Sequence, residues 1–145
     1  MNFCFGAQWN LGQLIDALAA WRRPHKQGSD EEPRVVLDFG YFVPTGLSSY
    51  RGFYEHLAIN YDDPNAYRGD GSPKVVGPLV SYFIERLTKA AAGEVFEGYK
   101  GGQYRMSRET PLWVASYGEA PGVAVIGVHD DDPYNVRIKT GWVPT

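Results

Sequence analysis

Residues 52–61 read GFYEHLAINY, and their pattern indicates a sheet-containing fold. Successive residues of a β-strand point to opposite faces of a sheet, and the apolar residues here fit that period. The alternation predicts a strand with Phe53, Glu55, Leu57 and Ile59 on one face, and Tyr54, His56 and Ala58 on the other. Such a strand needs partners, which the rest of the chain must supply.

Short apolar runs on both sides of this stretch predict the partner strands. They cover residues 34–39 (RVVLDF), 112–117 (LWVASY) and 123–128 (VAVIGV), with a last edge strand at 136–138. Residues 40–49 (GYFVPTGLSS) contain Pro44 and Gly46, and we therefore predict a loop there.

Two amphipathic helices are also predicted. The first follows Asn10, a good N-cap, and covers residues 11–23, with Pro24 after it. The second has Gly77 as its cap, Pro78 in its first position and Gly93 at its end. Its predicted buried stripe comprises Leu79, Phe83, Ile84, Leu87 and Ala91.

The order of these elements is a helix, two strands, a helix and then three or more strands. Strands joined by short turns favour an antiparallel sheet, so we predict an α+β fold, mainly antiparallel, with the helices on one face. A chain of 145 residues suits one domain, residues 1–145. Residues 62–73 (DDPNAYRGDGSP) are rich in turn formers and are predicted to be a flexible insertion.

Composition narrows the classes of function. The net charge of −3 disfavours general binding to nucleic acids, which requires a basic surface. The single cysteine, Cys4, excludes an intrachain disulfide and suits a reducing cytosol. Neither a signal peptide nor a long apolar run is present, so we expect no membrane association and a cytoplasmic location.

Catalytic signatures are missing from the sequence. It contains no phosphate-binding GxxxxGK[ST] loop and no HExxH motif. His129 precedes Asp130, Asp131 and Asp132, a group that could bind a hard cation but that also reads as a solvated acidic turn. We therefore predict no catalytic residue, no resident metal and no cofactor.

A pattern of aromatic residue, cation and glycine occurs three times. Tyr50-Arg51-Gly52 and Tyr99-Lys100-Gly101 are the stronger candidates, and Tyr67-Arg68-Gly69 lies in the predicted insertion. A tyrosine ring can stack on a base, Arg or Lys can pair with phosphate, and glycine lets a ligand approach the backbone. The pattern predicts a site for a nucleotide-like ligand, although surface turns have the same composition.

The second triplet continues into a longer candidate segment. All charged residues from Lys100 to Arg108 are positive. Gln103 adds an amide to this segment, and Tyr104 adds another ring. The full set of predicted ligand-binding residues is Tyr50, Arg51, Gly52, Tyr99, Lys100, Gly101, Gly102, Gln103, Tyr104, Arg105 and Arg108.

The segments SYRGFYEHLAI (residues 49–59) and FEGYKGGQYRM (96–106), with a helix between them, resemble a phage family of Thoeris anti-defence sponges. The similarity covers about residues 34–118, and Tyr50, Arg51, Gly52, Lys100, Gly101, Gly102 and Tyr104 fall on the shared pattern. Residues 62–73 and the part after Ala120 have no counterpart in it.

The resemblance implies a protein of the infected host's cytoplasm that binds a cyclic ADP-ribose-type immune signal without cleaving it. It also implies a homo-oligomer with ligand pockets at the subunit edges. Two alternatives remain open at this stage. One is a metal-dependent phosphodiesterase that uses His129 and its aspartates, with Glu55 and His56. The other is an inhibitor that binds a host defence protein through its tyrosines and tryptophans.

Overall fold

The computed structural model describes residues 7–22, 32–40, 42–62, 77–116, 119–129 and 135–142. These residues form two helices, α1 (Leu11–Arg22) and α2 (Val80–Ala91). They also form eight strands: β1 (Arg34–Leu37), β2 (Val43–Tyr50), β3 (Phe53–Asp62), β4 (Val95–Glu97), β5 (Gln103–Arg105), β6 (Leu112–Ala115), β7 (Val123–His129) and β8 (Asn135–Trp142). Most of the predicted insertion, including Tyr67-Arg68-Gly69, lies outside the described residues.

The start of α1 confirms the predicted cap. The Asn10 side chain accepts a hydrogen bond from the Gln13 N–H at 2.8 Å, and the Gln13 side chain accepts one from the Asn10 N–H at 2.8 Å. This reciprocal pair satisfies backbone donors that the first turn of a helix leaves without partners. The predicted apolar stripe is buried, and it comprises Leu11, Leu14, Ile15 and Leu18.

Helix α2 begins at Val80, two residues later than the prediction from Pro78. The reason is that the preceding residues bond to the sheet instead of starting the helix. The Val35 N–H donates to the Pro78 carbonyl at 2.8 Å, and the Val80 N–H donates to the Pro33 carbonyl at 3.0 Å. Residues before the helix thus extend the pairing of β1.

Six strands form one mixed sheet in the order β1-β8-β7-β6-β3-β2, and β4 pairs with β5 in a separate hairpin. Four of the six pairings are antiparallel, which confirms the predicted α+β class with a mainly antiparallel sheet. The parallel pairings are β1 with β8 and β3 with β6. The second of these follows from the α2 crossover that separates β3 from β6.

Two local predictions are wrong. Most of residues 40–49 form strand β2, because Pro44 and Gly46 fall where the β2–β3 register shifts. Strand β8 is not an edge strand, because it lies between β1 and β7. The glycine-rich segment after α2, for which no strand was predicted, forms the β4–β5 hairpin.

The sheet has a large core on one face and a small one on the other. The large core contains the buried faces of both helices together with alternate strand residues such as Leu57 and Ile59. The small core contains no helical residue and comprises Tyr50, Ala58, Trp113, Ala115, Ala124 and Ile126. The helices therefore cover one face, as predicted. No helix in the described part of the chain has the length and apolarity needed to cross a bilayer.

Candidate functional site

The first triplet forms the turn between β2 and β3. Tyr50 pairs directly with Phe53, which leaves Arg51 and Gly52 at the turn. The Tyr50 ring is 2% exposed and stacks on Trp113 with ring centroids 4.4 Å apart. Its hydroxyl accepts a hydrogen bond from the Gly122 N–H at 2.9 Å, and burial raises its pKa. Tyr50 is thus a core residue, and its ring is not available to stack on a ligand.

Gly52 has a steric role in this turn. A Cβ at this position would lie 2.7 Å from Cε2 of the Tyr50 ring. The sequence predicted that glycine would let a ligand approach the backbone. At this position the group that comes close is the aromatic ring of the same triplet.

The second triplet forms the tip of the β4–β5 hairpin. The Gly101 N–H donates to the Gly98 carbonyl at 3.0 Å, so Tyr99 and Lys100 occupy the corners of a tight turn. Gly101 and Gly102 follow with φ of 85° and 83°, a region that favours glycine. Tyr99 is 65% exposed and Lys100 is exposed. This turn therefore presents a ring and an ammonium group to solvent.

The two turns meet. The guanidinium carbon of Arg51 lies 3.6 Å from the centroid of the Tyr99 ring. This is a cation–π contact between residues 48 positions apart in the sequence, and it joins the first triplet to the second. The structure thus brings Arg51 to the hairpin tip that carries Lys100, as a shared anion site requires.

The remaining predicted residues divide into two groups. Gln103 and Tyr104 follow the tip on β5, where Gln103 is exposed and the Tyr104 ring lies 5.9 Å from that of Tyr54. Arg105 donates to the Gly93 carbonyl at 2.9 Å. Arg108 donates to the Asp16 carboxylate of α1 at 2.8 Å. The two arginines therefore bind groups of the chain itself.

An irregularity in β3 places further residues beside the first turn. Ser49 pairs with Leu57 and Tyr50 with Phe53, so residues 54–56 bulge out of the ladder. The bulge breaks the predicted alternation, because the Phe53 and His56 rings lie together with centroids 5.0 Å apart. From Leu57 onward the predicted alternation of faces is confirmed.

His56 is held in one orientation by Trp113. The indole Nε1–H donates to Nδ1 of His56 at 2.9 Å. Burial lowers the pKa of this imidazole, although the nearby Glu55 carboxylate acts in the opposite direction. Sequence reasoning assigned no role in ligand binding to Phe53, His56 or Trp113, because nothing in the residue order signals the bulge that groups them.

A second cluster of polar residues surrounds Asp38, a residue for which the sequence predicted no role. Its carboxylate accepts hydrogen bonds from the Thr140 hydroxyl at 2.6 Å and the Thr140 N–H at 3.0 Å, and His129 Nε2 lies 3.4 Å away. Asp130, Asp131 and Asp132 lie outside the described residues. Within the residues that the structure does describe, no group of three or more His, Cys, Asp or Glu is arranged to hold a metal ion.

A scan against protein-family models gave no match, and searches of curated proteins and of solved structures gave none either. The assignment of function therefore depends on the residues and their geometry, and the resemblance to the sponge family stays a hypothesis.

Proposed function

We propose that this protein binds a cyclic nucleotide-type signal and sequesters it without cleaving it. The observation that carries the proposal is the contact between the two turns, with the Arg51 guanidinium on the Tyr99 ring at 3.6 Å. Two chain segments that each offer a cation thereby meet at one place on the surface.

The Arg51 side chain in this contact suits recognition of phosphate. A guanidinium carries its N–H donors in its own plane, as a fork that can form bidentate bonds with phosphate oxygens. Lys100, the residue after Tyr99, adds a second positive charge without a fixed direction. The Arg51 guanidinium, held against the Tyr99 ring, is thus combined with the mobile ammonium group of Lys100.

The β4–β5 turn adds backbone recognition. Gly101 and Gly102 have positive φ, and no atom lies within 4 Å of the position where a Gly101 Cβ would stand. The Gly101 N–H closes the turn onto the Gly98 carbonyl, so the N–H that could be donated to an anion approaching this backbone is that of Gly102. In this proposal Gln103 and Tyr104, next on β5, contact the nucleoside part.

The resemblance to the sponge family suggests the biological role of the protein. By analogy, the protein is a phage product that acts in the host cytoplasm as a homo-oligomer and keeps an immune signal from its effector. Native mass spectrometry of the purified protein tests both aspects, because it reports the number of subunits and the mass of any small molecule retained.

The binding test uses calorimetric titration with cyclic ADP-ribose. We expect Arg51→Gln and Lys100→Gln each to weaken binding by more than about 1.5 kcal/mol, the value of a hydrogen bond to a charged group. Lys89→Gln is the matched control, because it removes the same charge from an exposed position on α2. Unchanged affinity in both site variants would remove this pair from the ligand site. Arg105→Gln and Arg108→Gln determine whether those arginines contribute.

The sequestration test examines the fate of the ligand. After incubation the complex is heated, and the released molecule is analysed by mass spectrometry. We expect the starting mass to be recovered in full, with and without EDTA. A product of phosphodiester cleavage that EDTA suppresses would instead support a metal-dependent hydrolase.

A further inference from the structure

The bulge in β3 creates a small aromatic surface beside the Arg51 turn. Phe53, His56 and Trp113 form it, with the Phe53 ring 5.0 Å from His56 and 6.0 Å from Trp113, centroid to centroid. Trp113 is 2% exposed, whereas Phe53 is 42% exposed. A buried indole thus supports a phenyl ring that remains open to solvent.

Two of the tyrosines that the sequence offered for stacking, Tyr50 and Tyr99, are engaged by the protein itself. Tyr50 is buried against Trp113, and one face of Tyr99 is covered by Arg51. Phe53 is the next residue after the Arg51-Gly52 turn and keeps a large exposed fraction. It is therefore the better candidate for stacking a planar ring of the ligand.

His56 adds a directed hydrogen-bond donor at the same place. An indole N–H can only donate, so Nδ1 of His56 is the acceptor and the proton of the neutral imidazole is on Nε2. Burial lowers the pKa of His56, which favours this neutral form at pH 7. Among the described residues, the bond from Trp113 is the only hydrogen bond of this ring.

We propose that Phe53 and His56 form a subsite for a planar nitrogen heterocycle, which stacks on Phe53 and accepts a hydrogen bond from His56 Nε2. The subsite rests on the proposed function, in which Arg51 and Lys100 hold the phosphate. Arg51 and Phe53 are two positions apart in the sequence, with only Gly52 between them, so their Cα atoms are at most about 7 Å apart, a span that one nucleotide can bridge. The predicted ligand class is therefore a purine or similar nucleotide rather than a sugar phosphate.

Two probes separate the base from the phosphate. Adenosine 5′-monophosphate and ribose 5-phosphate share the sugar phosphate, and only the former carries the base. Stacking of a base on an aromatic side chain contributes roughly 1–3 kcal/mol, so the wild type should bind adenosine 5′-monophosphate about 5- to 150-fold more tightly than ribose 5-phosphate. Phe53→Leu should remove this preference and leave the affinity for ribose 5-phosphate unchanged.

Two further variants refine the test. His56→Gln can keep an acceptor for the Trp113 N–H but replaces the Nε2 donor, and it should lower the affinity for adenosine 5′-monophosphate alone. Arg51→Gln should weaken both probes by a similar factor. Circular dichroism melting of each variant shows whether it is folded at the temperature of titration.

A measurement on the wild type complements the variants. The indole N–H of Trp113 lies beneath the subsite, so its NMR resonance should shift on addition of adenosine 5′-monophosphate and not of ribose 5-phosphate. A variant replacing Trp113 identifies the resonance.

The outcomes distinguish the two proposals. If both probes bind with equal affinity, or if Phe53→Leu leaves the preference intact, the subsite is overturned and the phosphate site stands. If neither probe binds the wild type and the Trp113 resonance does not move, both the subsite and the proposed nucleotide site are overturned.

Discussion

Gly52 leaves room for the Tyr50 ring and thereby affects the packing of the small core. The Tyr50 ring that it accommodates is fixed on two sides, by the Trp113 ring and by the Gly122 N–H. A methyl group 2.7 Å from that ring would force one of these contacts to change. We therefore expect Gly52→Ala to lower the free energy of unfolding by about 1–3 kcal/mol, the usual cost of overpacking. Urea denaturation measures it.

Gly46 provides the matched control for this substitution. It lies on the same strand, β2, and no atom is within 4 Å of the position of an added Cβ. Gly46→Ala should change stability by much less. Equal effects at the two positions would show that the loss comes from the backbone and not from the Tyr50 ring.

His56 should make stability depend on pH. Its folded-state pKa is lowered, mainly by burial, so the unfolded chain binds the proton more readily. The corresponding stability is fully present above the ordinary histidine pKa of about 6.5 and is lost as the pH falls through the folded-state value. We expect the melting temperature to fall between pH 7.5 and pH 5.

The variant His56→Gln isolates this contribution from other titrating groups. Glutamine can accept a hydrogen bond from the Trp113 N–H but does not titrate. The melting temperature of His56→Gln should therefore fall less over the same pH interval than that of the wild type. An identical fall in the two proteins would assign the pH dependence to other residues.

At the scale of elements, sequence periodicity predicted the helices and strands whose buried residues recur at a regular spacing. Both helices and the later part of β3 were predictable because each buries one side of a regular repeat. Strand β2 was not, because its sequence VPTGLSSY contains Pro44 and Gly46 and its burial does not alternate. Its place in the sheet comes from pairing with β3, a tertiary contact that overrides local preference.

The cap of α1 offers a direct test of an element. Asn10 and Gln13 exchange hydrogen bonds of 2.8 Å at the start of the helix. Replacing an N-cap of this type by alanine typically costs about 0.5–2 kcal/mol, so Asn10→Ala should destabilise the protein by roughly 1 kcal/mol. Thermal unfolding measures this loss of stability. Ala20→Ser, at an exposed position of the same helix, is the control and should have a small effect. No loss in Asn10→Ala would mean that packing alone fixes the helix start.

At the scale of the molecule, the candidate site depends on topology. The sequence identified two triplets as candidates, and nothing in their local chemistry says that they meet. They meet because each forms the end of a hairpin and the tips of the two hairpins lie together, with Arg51 on Tyr99. Arg105 and Arg108 belong to the same cationic stretch but bond to Gly93 and Asp16. Proximity in the sequence therefore identified the candidate residues but could not show which of them lie together in the fold.

Ligand binding at the joined hairpins should stabilise the whole fold. The proposed site requires the two turns to lie together, so a ligand that needs both binds the folded state and not the unfolded chain. At a concentration one hundred times its measured Kd, such a ligand raises the free energy of unfolding by roughly 2.7 kcal/mol. We expect this rise in urea denaturation of the wild type with cyclic ADP-ribose. The double variant Arg51→Gln/Lys100→Gln should show none at the same concentration, whereas Lys89→Gln should retain it. A rise that persists in the double variant would locate the ligand elsewhere on the fold.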